Sequence, residues 1–94
     1  MARFELNIYG VDDEIIKTYK ADRVKYGVTL EALKYAETVD SMSTVDKFLT
    51  LNKIVKRVFP GLTDEELMNT EIDDVLNVCR QVGALTGNID SSKN

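Results

Sequence analysis

The sequence predicts a mainly α fold, a small bundle of three to four helices with an N-terminal β-hairpin, as a single globular domain over residues 1–87. Three observations carry this. Phe4, Leu6 and Ile8 alternate with Arg3, Glu5 and Asn7, a period of two that sends one set of side chains to one sheet face. From Leu30 onward the apolar residues recur at helical spacing, divided by capping residues and by Pro60-Gly61. A chain of 94 residues with 44% hydrophobic and 30% charged side chains is globular, and at this length it can build one core.

The hairpin is expected over residues 3–19. Residues 3–9 form its first strand, Gly10-Val11-Asp12-Asp13 has turn chemistry, and Glu14-Ile15-Ile16-Lys17-Thr18-Tyr19 is rich in β-branched and aromatic residues. A two-stranded ribbon is marginal in water, so its apolar face must lie on the helices downstream. Gly27 reads as a break, with Thr29 capping a first helix over 29–39. Its Leu30, Leu33 and Ala36 lie near one another. The polar run Asp40-Ser41-Met42-Ser43-Thr44 then separates it from a longer helix over 44–59, which Pro60-Gly61 stops.

Thr63-Asp64-Glu65-Glu66 is a capping box with three acids in the first turn, and predicts a short helix over 63–69. Thr70-Glu71-Ile72-Asp73 repeats the start signal for a final helix over 70–83, with Ile72, Val75, Leu76, Cys79 and Val82 on its apolar face and Gly83 or Gly87 at its end. Residues 88–94 are polar and aperiodic and read as a disordered tail.

Charge is uneven. Residues 1–60 hold ten basic and nine acidic side chains, whereas residues 61–94 hold two and seven, within a net charge of −4. Phosphate backbones need a basic stripe, so nucleic acid is not an expected partner. The opening Met1-Ala2-Arg3-Phe4-Glu5 reaches an acid at the fifth residue, and no apolar stretch is long enough to span a bilayer. A cytoplasmic protein with no membrane partner is expected. With no His and one Cys, the chain has neither the commonest metal ligand and general base nor a cysteine pair for a disulfide or zinc site. No enzyme activity, cofactor or metal is expected.

The side chains that could carry chemistry have structural readings. Cys79 falls within an apolar helical face with no basic run beside it, the pattern of a core cysteine. Asp12-Asp13, Glu65-Glu66 and Asp73-Asp74 suit turn and capping roles, because neighbours on a helix point about 100° apart and converge poorly on a cation. Lys53, Lys56 and Arg57 form a basic cluster that reads as a solvated helix face. The unusual feature is the second helix. Val45, Phe48, Leu49, Leu51, Ile54, Val55, Val58 and Phe59 spread over an arc of roughly 220°, wider than one packed face requires.

Two resemblances follow from these residues. Asp40-Ser41-Met42 at the head of the long helix resembles the Asp-Ser-Leu site of acyl and peptidyl carrier proteins, and Leu62-Thr63-Asp64-Glu65-Glu66 lies near the spacing of their third-helix acids. It implies a phosphopantetheine arm on Ser41. The strand pair, however, stands where a carrier has its first helix, and Lys47, Lys53, Lys56 and Arg57 are basic where carriers are acidic. Ser41 also suits a turn residue flanking a helix.

The wider resemblance covers nearly the whole chain. The hairpin of Phe4-Glu5-Leu6-Asn7-Ile8-Tyr9-Gly10 and Lys17-Thr18-Tyr19, the helix at Glu31-Ala32-Leu33, the segment Val58-Phe59-Pro60-Gly61-Leu62-Thr63-Asp64-Glu65-Glu66-Leu67 and the closing Asp73-Asp74-Val75-Leu76-Asn77-Val78 together resemble the tail assembly chaperones of long-tailed bacteriophages. The resemblance implies a helical, non-enzymatic protein in the host bacterial cytoplasm. Such a protein coats the tape measure protein before the tail tube forms around it, contacts the tail tube protein, self-associates, and is left out of the mature virion. A frameshifted longer form is frequent in that family, and the segment from Gly87 would be its junction. A small regulatory or adaptor module is the competing class. The expected contact surface is Leu49, Ile54, Val58 and Phe59, rimmed by Lys53 and Arg57; the opposing reading packs these side chains inside the domain or between copies of it.

Overall fold

β1 (Phe4–Tyr9) and β2 (Ile15–Ala21) form the antiparallel hairpin that the alternation predicts. The computed structural model describes the backbone of residues 3–91 and the side chains of residues 3–85. Phe4 pairs with Ala21, Leu6 with Tyr19 and Ile8 with Lys17. This register turns Phe4, Leu6 and Ile8 to one face, where they are almost fully buried. In the turn, the Gly10 N–H donates to the Glu14 carbonyl at 2.8 Å and the Asp13 N–H to the Gly10 carbonyl at 3.0 Å. Asp13 takes a φ of 62°, a region aspartate tolerates better than most residues. β2 runs two residues beyond the predicted Tyr19 and is exposed from Ile15 to Thr18.

Four helices follow: α1 (Tyr26–Thr38), α2 (Thr44–Val58), α3 (Asp64–Met68) and α4 (Ile72–Ser91). α1 begins ahead of the predicted start. Gly27 lies in its first turn instead of breaking the chain, Lys25 occupies the N-cap without a side-chain bond, and the Thr29 hydroxyl donates to the Tyr26 carbonyl at 2.6 Å. A Cβ at position 27 would sit 2.9 Å from the Arg57 guanidinium of α2, the mobile end of a long side chain that could shift to admit it. Val28, Ala32 and Tyr35 share the inward face, so Leu30 and Leu33 point outward. A single 3₁₀ turn, Val39–Ser41, leads to Ser43, whose hydroxyl caps α2 by accepting from the Asp46 N–H at 3.1 Å. α2 ends as predicted, with the Phe59 N–H closing on the Val55 carbonyl before Pro60.

The capping box at Thr63 forms in full: the Glu66 N–H donates to the Thr63 hydroxyl and the Thr63 N–H to the Glu66 carboxylate, each at 3.1 Å. Thr70 does not cap the last helix. Its hydroxyl reaches the Asn7 carbonyl of β1 at 2.7 Å, while the Tyr9 N–H donates to the Asn69 carbonyl at 2.9 Å, so the link between α3 and α4 is stitched to the hairpin. α4 runs past both Gly83 and Gly87. Val82 is buried and Leu85 packs on the core, and a helical glycine costs only about 1 kcal/mol, too little to stop a helix anchored on both sides of it. Residues 88–91 of the predicted disordered tail therefore belong to α4, and residues 92–94 lie outside the described residues.

One core joins these elements. α4 contributes Val75, Val78 and Val82 and packs against α1, α2 and β1; α2 contributes Leu51, Ile54, Val55 and Val58; Phe59, Leu62 and Leu67 seal the end near α3. No helix among the described residues is long and apolar enough to cross a membrane. Truncating Phe4 to Ala should cost about 3–5 kcal/mol, as for a large buried aromatic, read as a fall in the urea midpoint. A Cβ at Gly83 meets nothing within 4 Å, so Gly83→Ala should raise stability by about 0.5–1 kcal/mol in the same measurement.

Candidate functional site

The wide apolar arc of α2 divides in two. Leu51, Ile54, Val55 and Val58 point into the core, while Val45, Phe48 and Leu49, on the adjoining side of the first two turns, remain 67%, 38% and 54% exposed. α3 is the reason. It is five residues long, and its Leu67 is buried while Met68 is left outside. Ile72, at the start of α4, also faces out. Phe48, Leu49, Met68 and Ile72 line two adjoining depressions. One, of about 720 Å³, runs past Met42, Leu49, Lys53 and Met68; the other, of about 270 Å³, lies between Phe48, Met68 and Ile72. Asn52, Leu67 and Met68 border both, so the two form one groove. Two flexible, polarizable methionines at its margin suit a surface that must adapt to its occupant.

One carboxylate ties α3, which carries Met68, to the hairpin. Glu66 accepts from the Tyr19 hydroxyl at 2.5 Å, from the Thr63 N–H at 3.1 Å and from the Lys17 ammonium at 3.1 Å. These bonds fasten β2 to the first turn of α3. Lys17 also lies 4.6 Å over the Tyr19 ring, and that ring sits 6.0 Å from Phe59. The bond from Tyr19, supported by those from Thr63 and Lys17, holds the Glu66 carboxyl down at about 2 against an ordinary 4.5.

The predicted contact residues separate in the structure. Leu49 and Lys53 line the groove. Ile54, Val58 and Phe59 are sealed in the core at 1%, 4% and 3% exposure, because α4 and the hairpin cover that side of α2. They are not surface residues. Arg57 turns away from Lys53 and pairs with Glu31 of α1, beside Gly27. Of the basic cluster only Arg57 leaves, toward α1; Lys53 lines the groove, as do Lys56 and the Asp64 it pairs with at 2.5 Å. Met42, Phe48, Met68 and Ile72 were not expected at a contact surface. Phe48 stood within the wide arc, but its exposure depends on how little of α2 the short α3 can cover.

The other candidates keep local roles. The exposed Ser41 donates its hydroxyl to the Thr38 carbonyl at 2.9 Å, closing the 3₁₀ turn. Cys79 is half-buried, with its sulfur 4.0 Å from the Leu51 carbonyl, and burial pushes its thiol up to about 12. Among the described residues, no three His, Cys, Asp or Glu side chains gather where they could hold a metal ion. No protein-family model, curated protein or solved structure matches the chain. The groove is characterised by its own geometry.

Because the Glu66 carboxyl is depressed in the folded protein, its contribution to stability is present above pH 4.5 and is lost as pH falls from there toward 2. Urea midpoints measured across that window should fall more steeply for the wild type than for Glu66→Gln, which has no carboxylate to protonate.

Proposed function

We propose that the protein is a transient, non-enzymatic chaperone of the phage tail assembly kind. It binds amphipathic helical segments of the tape measure protein, and the tail tube protein, in the host bacterial cytoplasm, self-associates, and leaves the assembly before the virion matures. The observation that carries this reading is the continuous apolar groove of Phe48, Leu49, Met68 and Ile72, beside an α2 face whose Leu51, Ile54, Val55 and Val58 are sealed inside. A groove bordered by helices takes the apolar stripe of a partner helix, with anchors spaced at i, i+3 or i+4 and i+7. The groove is open and shallow enough for a competing assembly surface to displace the chaperone, and binding of this kind needs no catalytic group. The hairpin-first order of elements and the segment from Phe59 to Leu67 support the family reading.

The test is co-purification with a helical tape measure fragment from the same genome. Leu49→Asp and Met68→Asp should each weaken capture at least about tenfold, the expected loss for one apolar anchor worth roughly 1.5–3 kcal/mol, with the circular dichroism of the free domain unchanged. Ile54→Asp should instead unfold the domain, since it places a charge in the core. Capture that survives both groove substitutions would refute the assignment of the groove. Failure of the unsubstituted protein to hold the fragment would refute the chaperone reading.

A further inference from the structure

A second recess lies on the opposite side of α2, between α1, α2 and α4, with a volume of about 320 Å³. Small residues open it: Ala32 and Ala36 on α1 face Gly83 on α4, where a Cβ would meet nothing within 4 Å. Leu51, Ile54 and Leu76 form an apolar floor. The lining contains one charged side chain, Arg80, and no acid. Arg80 forms none of the ion pairs that engage Lys17, Lys20, Lys56 and Arg57. Tyr35 supplies a phenol to the same lining. The recess is therefore amphiphilic, with hydrocarbon below and a cation and a hydroxyl donor beside it. Its volume is at the small end of the roughly 300–1,000 Å³ typical of ligand pockets.

We propose that this cleft binds a small anionic amphiphile, a medium-chain carboxylate whose tail lies along Ala32, Ala36, Leu76 and Gly83 and whose head meets Arg80 and Tyr35. The charge decides between head groups. A guanidinium binds a carboxylate through two parallel N–H donors, repels an ammonium and gains little from an alcohol. Because the whole chain is net negative, attraction for the anion is local to Arg80. This inference is independent of the groove between α2 and α3.

The experiment is a titration of the full-length, isotope-labelled chain with decanoate, followed by amide NMR. Saturable shifts are expected at Ala32, Ala36, Leu76, Arg80 and Gly83, with Phe48 and Met68 unmoved. Arg80→Gln should weaken binding by about tenfold, the loss of one charge-assisted bond. Gly83→Leu, built where there is space for a side chain, should fill the cleft and abolish binding while the spectrum remains that of a folded domain. Decylammonium should not compete. Decylammonium binding as tightly as decanoate, shifts that both variants leave intact, or no saturable response at all would each overturn the proposal.

Discussion

A two-stranded ribbon with one apolar face cannot remain in water, and the rest of this molecule answers that constraint. Phe4, Leu6 and Ile8 are as fully buried as the helical core, and the element that covers them, α4, also packs on α1 and α2. The bundle is assembled around the hairpin as much as around itself. α4 serves three neighbours and continues through two glycines. α3 needs only to close the end near Phe59 and Leu62, and a five-residue helix is sufficient for that.

The division of labour between a long α4 and a short α3 creates the groove. α3 shields α2 only near its C-terminal end and leaves the side of the first two turns that carries Val45, Phe48 and Leu49 open to solvent. The short helix is not loosely held. Glu66 serves the capping box, the Tyr19 phenol and the Lys17 ammonium at once, so the wall carrying Met68 is fixed to the sheet while the methionine side chain itself remains adaptable. A rigid backbone bearing pliable side chains is what the proposed binding of helical segments would require. The exposed ion pairs, such as Lys56 with the open Asp64, add little to this.

Local signals were legible where chemistry is local. The alternation at Phe4-Leu6-Ile8, the Ser43 region as a helix break, the Thr63 capping box and the stop at Pro60 could all be read from residue types a few positions apart. The errors arose where a distant element decided the outcome. Gly27 resembles a break but lies within α1, whose Val28 is buried in the core. Thr70 has the form of a cap but bonds to Asn7. At the candidate site, the excess of apolar surface on α2 was visible in the sequence, and of the expected surface Leu49 and Lys53 line the groove. Which part of the arc remains outside depends on where α4 and α3 pack. For that reason Ile54, Val58 and Phe59 could not be separated from Val45 and Phe48 by spacing alone.

The half-buried sulfur of Cys79 bears on how the molecule endures in solution. With its thiol pushed up to about 12, it is protonated throughout the neutral range, and oxidants and disulfide exchange act on the thiolate. It is also the chain's sole cysteine. Thiolate chemistry that would crosslink copies covalently or add charge beside Leu51 and Leu76 is thereby slowed.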